Sequence, residues 1–370
     1  MGEEHEHSLG DKKIGFYSVE GEMGQSQTKS KTNVAELPAA PNRFQVIDDL
    51  KEVVKEGNSQ FQDGKFTTAQ MLYLRSIRKL FNEGVKEGII DSSKMEDSEM
   101  FFHDFLGDVE ISHVISYADQ LASKVKETTS AVRKTVCDEM ETDEEASGGG
   151  LMELIDGTKK SADDDLAYLV TYSICAADLL NNTAAVLFLI KQTRSSLQLN
   201  YKVLRLRGLI HGGNSIAAAE SLQNISSCLD ALSDLEAAER KLLKAIELEN
   251  LHGLDGTVES TSMLNNLSVL YSHMGRYDEA ETTLLSVLKH REEKLGKNHR
   301  LTQNALANLE AIRAARVSSV EETASGEDAQ EEGAVSPFPA SLLDDVESSS
   351  LIGSAEKKDE EPMRLESHEG

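Results

Sequence analysis

A Leu-x-Asn triplet returns at one fixed interval in the second half of the chain. Its four copies begin 42 residues apart, at Leu180, Leu222, Leu264 and Leu306. Other apolar positions keep the same register, among them Leu204, Ile246 and Leu288. A period near 42 residues with two helices per unit is typical of a helical solenoid. Stacked hairpins in such a fold bury a core that no single hairpin could bury alone.

The distribution of proline also favours helices. The chain has 370 residues and five prolines, at Pro38, Pro41, Pro337, Pro339 and Pro362, so residues 42–336 contain none. Average usage would place about fifteen prolines in a stretch of that length. Since proline interrupts helices and central strands but is tolerated in loops, the sequence predicts an all-α fold.

Charge is distributed unevenly. The formal net charge is −27, and residues 317–370 contain 15 acidic and 3 basic side chains. Such a balance repels phosphates, so nucleic acid and anionic membranes are poor partners. Residues 1–45 and 317–370 show no sustained periodicity, and we predict that both termini are disordered, the second as an acidic tail.

Three further segments lie between these termini. Residues 46–137 are predicted to form a helical hairpin with further helices after it, since apolar stripes at helical spacing flank Gly64. Residues 138–161 combine an acidic run with Gly148-Gly149-Gly150 and predict a flexible loop. Residues 162–316 hold the 42-residue repeats and end in a predicted capping helix.

One unit resembles a tetratricopeptide repeat of the kinesin-light-chain type. The match runs from Met263 to Glu292, through Leu264, Leu267, Tyr271, Gly275, Tyr277, Ala280, Leu284 and Val287. The unit before it has Ser233 at the glycine position, and the unit before that has Lys191 there and Ser196 in place of alanine. The resemblance does not extend to the long coiled coil of kinesin light chains, so kinesin binding is not expected.

A second segment resembles a tetratricopeptide repeat of the co-chaperone style. It includes Gly57, Asn58, Gly64, Ala69 and Tyr73. In that family a lysine four residues before the asparagine grips a carboxylate of a chaperone tail. Val54 stands at this position here, and a valine cannot donate a hydrogen bond.

The resemblance implies that the first helix of each unit lines a concave groove. We predict that a partner contacts the inward positions Asp178, Asn181, Glu220, Gln223, Asp230, Asn265 and Ser272, with ordinary polar surface as the alternative for the amides. Amides of this kind can hydrogen-bond an extended peptide backbone, and the acids favour a neutral or basic segment. The companion amides Asn182, Asn224, Asn266 and Asn308 are interpreted as structural, paired with backbone between helices.

Motifs for catalysis or cofactor binding are missing from the sequence. It has no phosphate-binding glycine loop, dinucleotide fingerprint or G-x-S-x-G, and the similar Gly213–Ala217 stretch is interpreted as a helix start. Cys137, Cys175 and Cys228 lack metal-ligand spacing and favour reduced thiols in a cytoplasmic compartment. No apolar signal core and no run of eighteen uncharged apolar residues occurs, so no membrane span is expected. We expect no enzyme activity, no cofactor and no metal.

The leading hypothesis is therefore a non-catalytic adaptor that binds a peptide or partner helix in the groove of the solenoid. The first alternative is a structural subunit of a larger cytoskeletal or ciliary assembly. A co-chaperone is a second alternative, disfavoured by Val54. The sequence leaves the partner, the pathway and the oligomeric state open.

Overall fold

The computed structural model describes residues 44–94, 111–140, 149–157, 164–254, 256–258 and 260–325. Within these ranges the chain is helical and contains no strand. The helices are α1 (Gln45–Gln62), α2 (Phe66–Lys86), α3 (Ile111–Met140), α4 (Leu151–Gly157), α5 (Asp164–Leu189), α6 (Thr193–His211), α7 (Ile216–Ala231), α8 (Leu235–Leu251), α9 (Ser260–His273), α10 (Tyr277–Leu295) and α11 (Arg300–Ser325), with a short 3₁₀ turn at Ser92–Lys94.

The helices pair as hairpins and the hairpins stack. Helix α5 packs on α6, α7 on α8 and α9 on α10, and each hairpin contacts the next through its second helix. Helix α11 packs on α10 as a single helix at the end of this series. The all-α helical-hairpin solenoid predicted from the 42-residue period is confirmed.

The N-terminal hairpin belongs to the same stack. Helices α1 and α2 pack on α5, whereas the segment between them in sequence contributes α3 and α4, which cover α6. A buried hydrogen-bond chain fixes this arrangement: the Tyr117 hydroxyl on α3 lies 2.9 Å from that of Tyr172 on α5, which donates to the Leu80 carbonyl of α2 at 2.8 Å. The hairpin α1–α2 is therefore the neighbour of α5–α6 in the stack, although α3 and α4 separate the two in sequence.

The turn inside each hairpin uses one left-handed residue at the same repeat position. Its φ is 77° at Gly64 and 73° at Gly275, and it is 68° at Lys191 and 64° at Ser233. Glycine adopts this conformation without steric cost, but a residue with a Cβ is strained by about 1 kcal/mol. The two units that lack the glycine nevertheless form the same turn, because helix packing on both sides holds it.

A similar compensation occurs where the two helices of a hairpin approach most closely. In one unit Ser196 on α6 donates to the Ala184 carbonyl of α5 at 2.7 Å. In the next unit the roles reverse, and Ser226 on α7 donates to the Ala238 carbonyl of α8 at 2.7 Å. Serine therefore fits the position at which the tetratricopeptide pattern has alanine, because its hydroxyl donates a hydrogen bond to a carbonyl on the partner helix.

Two predicted boundaries differ from the structure. Helix α4 lies inside residues 138–161, which were predicted to be a flexible loop. Helix α11 continues to Ser325, beyond the predicted start of the tail at 317. Leu151 is 0% exposed, so packing against the solenoid orders a segment whose composition favours a loop. The predicted disordered segment 1–45 (apart from Phe44 and Gln45) and the tail from residue 326 lie outside the described residues.

The strained turns generate a stability prediction. Replacing Ser233 by Gly should raise the free energy of unfolding by about 1 kcal/mol, because glycine adopts the left-handed conformation freely. Urea denaturation followed by circular dichroism measures this change. The matched control Ser233→Ala keeps a Cβ and should give no increase. Equal effects of the two substitutions would contradict the interpretation of strain.

Candidate binding groove

The predicted groove amides lie between the stacked units. Asn181 is 1%, Gln223 6% and Asn265 8% exposed. Asn224 Nδ2 donates to Asn181 Oδ1 at 3.0 Å, and Asn308 Nδ2 donates to Asn265 Oδ1 at 3.1 Å. Each bond joins the first amide of one unit to the second amide of the next. We call these amide pairs rungs.

The rungs define what the repeated amides do in the folded chain. The companion amides were expected to pair with backbone, and Asn224 and Asn308 instead donate to the side chains that were assigned to partner binding. The intervening pair departs from this pattern because glutamine is one methylene longer than asparagine. There Gln223 replaces the first asparagine, and the Nδ2 of Asn266 is buried without a hydrogen-bond partner.

A rung also joins the N-terminal hairpin to the repeats. Asn182 Nδ2 donates to Asn58 Oδ1 at 3.0 Å, and the Tyr73 hydroxyl donates to the same oxygen at 2.6 Å. Gly57 allows the tyrosine this position, since a Cβ there would lie 2.5 Å from the ring of Tyr73. Val54 is 3% exposed and packs in the core. The asparagine that would belong to a chaperone clamp therefore serves inter-unit packing.

Two of the three predicted groove acids surround one buried arginine. Arg207 on α6 is 2% exposed and lies 3.2 Å from Asp178 on α5 and 3.4 Å from Glu220 on α7. Burial raises the pKa of Asp178, although Arg207 lowers it. Burial, with the nearby Glu249, raises the pKa of Glu220 to about 8. One cation cannot neutralise several buried carboxylates, so part of the negative charge assigned to the groove is suppressed at neutral pH.

The third acid also has a partner on a neighbouring unit. Asp230 Oδ1 lies 2.6 Å from Nδ1 of His273. Ser272, beside that histidine, is half-buried. The predicted set thus comes together along one side of the stacked first helices, with its acids engaged in contacts between units.

The residues assigned to repeat structure occupy the hairpin contacts. Ala69 and Ala280 are 0% exposed where the two helices of a hairpin meet. Tyr277 begins α10 and packs against the last apolar cluster, after the turn at Gly275. Ser215, in the stretch that partly resembles a nucleophile motif, caps α7 by accepting from the Ala218 amide, as expected for a helix start.

Sequence reasoning missed two buried arginines at the ends of second helices. Arg207 donates to the Ala217 carbonyl at 3.2 Å, and Arg291 donates to the Leu301 carbonyl at 2.9 Å. Each reaches ten residues ahead, into the first turn of the following helix. A signal was present, because Arg207 and Arg291 are two periods apart and Arg207 stands among apolar residues. These arginines tether the linker between consecutive units.

Comparison with known proteins agrees with this geometry. Residues 260–301 match the family model described as tetratricopeptide repeat. This segment of the chain is a tetratricopeptide repeat of the kinesin-light-chain type. The matched unit consists of α9, α10 and the linker into α11, which is the unit whose turn contains Gly275.

The solved structures that are similar to the chain include the following two. One is a crystal structure of a putative kinesin light chain from Podospora anserina with nearly identical TPR-like repeats, at 12% identity and a TM-score of 0.34 over 64% of this chain and 93% of that one. The other is BtubC (BKLC) from P. vanneervenii, at 15% identity and a TM-score of 0.36 over 89% of this chain and 98% of that one. No curated protein matches the sequence.

The described residues also bear on metal binding and on membrane insertion. No group of three or more His, Cys, Asp or Glu side chains in that part of the chain could hold a metal ion. Helix α5 is long and apolar enough to cross a membrane by length and composition, and 78% of its most apolar window is buried inside the fold. A helix buried in the core of a protein can have the same length and composition.

The rungs predict a specific energetic coupling. Replacing Asn224 by Ala leaves the buried Asn181 oxygen without a donor, and we expect a loss of about 1–3 kcal/mol in the free energy of unfolding. A double-mutant cycle between Asn181→Ala and Asn224→Ala should show coupling of about 1 kcal/mol. The control cycle between Asn181→Ala and Asn308→Ala, which belong to different rungs, should be additive. Additivity in both cycles would refute the rung.

The buried glutamate predicts a pH dependence. The pKa of Glu220 is raised from 4.5 to about 8 in the folded chain, so the folded state favours the protonated acid. Its contribution to stability is complete below pH 4.5 and is lost as the pH rises towards 8. We therefore expect the stability of the wild type, relative to Glu220→Gln, to fall by about 1–3 kcal/mol between pH 5.5 and 8.5.

Denaturant unfolding at several pH values measures this difference. The matched control is Glu247→Gln on α8, whose side chain is 58% exposed. The control should run parallel to the wild type across the whole pH range. A Glu220→Gln profile that also runs parallel would show that this carboxyl titrates normally.

Proposed function

We propose that the protein is a non-catalytic adaptor whose solenoid binds a peptide or helix of another protein in its concave groove. The observation that carries the proposal is a row of residues one period apart on the first helices, beside the rungs. Ala185 is buried along this row, Ser227 and Val269 are half-buried, and Ala311 on α11 is exposed. Tetratricopeptide repeats generally mediate contacts between proteins, which supports this use of the surface.

The paired acids refine the chemistry of the proposed partner. Asp178 and Glu220 contact Arg207, and Asp230 contacts His273, so a strongly basic peptide finds little free negative charge there. A largely neutral segment with small or apolar side chains fits the row better. Cys175 and Cys228 are buried and form no disulfide with a described residue, which supports the proposal of a cytoplasmic location.

A structural subunit of a larger assembly is the second candidate. Leu243 on α8 and Leu285 on α10 are 43% and 45% exposed and lie one period apart. An edge of this kind on successive units favours side-by-side packing of solenoids. A concentration-dependent increase in mass by light scattering would support this candidate, and a monomer at micromolar concentration supports the adaptor.

Groove binding is tested with substitutions that leave the rungs intact. Peptides that bind the wild-type chain are first selected from a random library. We expect Val269→Arg combined with Ala311→Arg to weaken the affinity for these peptides by about tenfold or more, because the two arginines add bulk and positive charge to the row. Fluorescence anisotropy with the selected peptides measures the dissociation constants. Circular dichroism verifies that the variant remains as helical as the wild type.

The matched control places the same two charges on the other helices of the hairpins. Leu243→Arg combined with Leu285→Arg should leave peptide affinity unchanged. Equal affinity of the wild type and both variants would place binding outside the groove. A failure to select any peptide would argue against an adaptor of this kind.

A further inference from the structure

The last helix of the solenoid leaves apolar side chains exposed where earlier units are covered. Leu306 on α11 is 41% exposed, whereas its counterparts Leu180 and Leu222, one period apart, are 0% and 3% exposed. Val317 on the same helix is 57% exposed. In the earlier units neighbouring helices cover the leucine, since Leu180 lies in the apolar cluster of α1 to α6 and Leu222 in that of α6 to α9. Among the described residues nothing follows α11 in the stack.

The two side chains belong to one face of the helix. They are eleven residues apart, which is close to three helical turns, so both point in nearly the same direction about 16 Å from one another. Arg313 lies between them in sequence and bonds Glu281 on α10 at 2.6 Å. We call the strip containing Leu306, Arg313 and Val317 the end face.

The amide rungs stop at the same place. The position of Asn181 and Asn265 is occupied in the last unit by Ala307, which carries no amide to accept from a further repeat. An asparagine of a further repeat would therefore find no amide acceptor at this position. An apolar segment without a rung asparagine fits the end face better.

We propose that the C-terminal segment Ser341–Glu347 of the same chain packs on the end face and covers Leu306 and Val317. Leu343 and Val346 follow Leu342 by one and four residues, a spacing that would bring all three to one side if the segment docked as a short helix. Ser341 and Asp344 have the spacing of a helix-capping pair. The remaining acids, Asp345 and Glu347, give the segment a polar side for solvent.

The length of the connecting chain permits this contact. Leu306 lies 19 residues before the end of α11, or about 29 Å along the helix axis. Sixteen residues, 326–341, separate Ser325 from Leu342, and an extended chain of that length spans about 55 Å. The segment can therefore return along α11 to either exposed side chain. The tether also raises its effective concentration over that of a free partner.

Hydrogen exchange of the full chain, read by mass spectrometry, tests the proposal. The variant Leu342→Asp with Leu343→Asp removes the apolar side of the segment without touching the solenoid. We expect amides between residues 303 and 319 to exchange about tenfold faster in this variant, because cover on the end face is lost. Amides of α5 to α8 should be unchanged.

The control variant Leu351→Asp with Ile352→Asp adds the same charge to the second apolar island of the tail and should exchange like the wild type. Unchanged exchange in the first variant overturns the proposal. Equal acceleration in both variants also overturns it, since general charge would then be the cause. Protection that depends on protein concentration and not on the tail assigns the end face to a second copy of the chain.

Discussion

Amide pairs buried between neighbouring units determine how this solenoid stacks. A single hairpin leaves its apolar side uncovered, so the fold depends on the register between units. The bonds from Asn224 to Asn181 and from Asn308 to Asn265 fix that register at the two junctions that they span. A shift would leave buried amides unpaired, at a cost of about 1–3 kcal/mol each, whereas apolar contacts alone tolerate sliding. Specificity of stacking is therefore carried by a few polar groups inside an apolar core.

The same interaction explains how a distant hairpin joins the stack. Asn58 accepts from Asn182, so α1 and α2 precede α5 in space although α3 and α4 intervene in sequence. The intervening helices lie over α6, where Tyr117 and Tyr172 link them to the core. The row of first helices then extends from α1 to α11. A partner in the groove would meet a surface that is longer than the recognisable repeats alone provide.

Charge is used mainly to hold the units together. Arg207 and Arg291 bind carbonyls in the first turn of the following helix, and Arg207 also holds Asp178 and Glu220. Burial of several ionisable groups around one arginine raises the pKa of Glu220 and lowers that of His211 to about 4. The acidic character of the composition is consequently a poor guide to the groove. Most of the net negative charge belongs to exposed side chains and to the tail, and little of it to the contacts between units.

Sequence alone determined the all-α class, the hairpin repeats and the best-formed unit, because period and apolar spacing are local properties of the chain. It also singled out the repeated asparagines, yet it divided them between binding and structure without seeing that they bond one another. That pairing joins residues 43 positions apart, and 124 positions apart for Asn58 and Asn182. The left-handed turns at Lys191 and Ser233, the order imposed on α4 and the neutralised acids likewise required the tertiary structure. Helix formation is encoded within each unit, but the partners of buried polar groups are chosen by which units come to lie side by side, and that depends on packing of the whole chain.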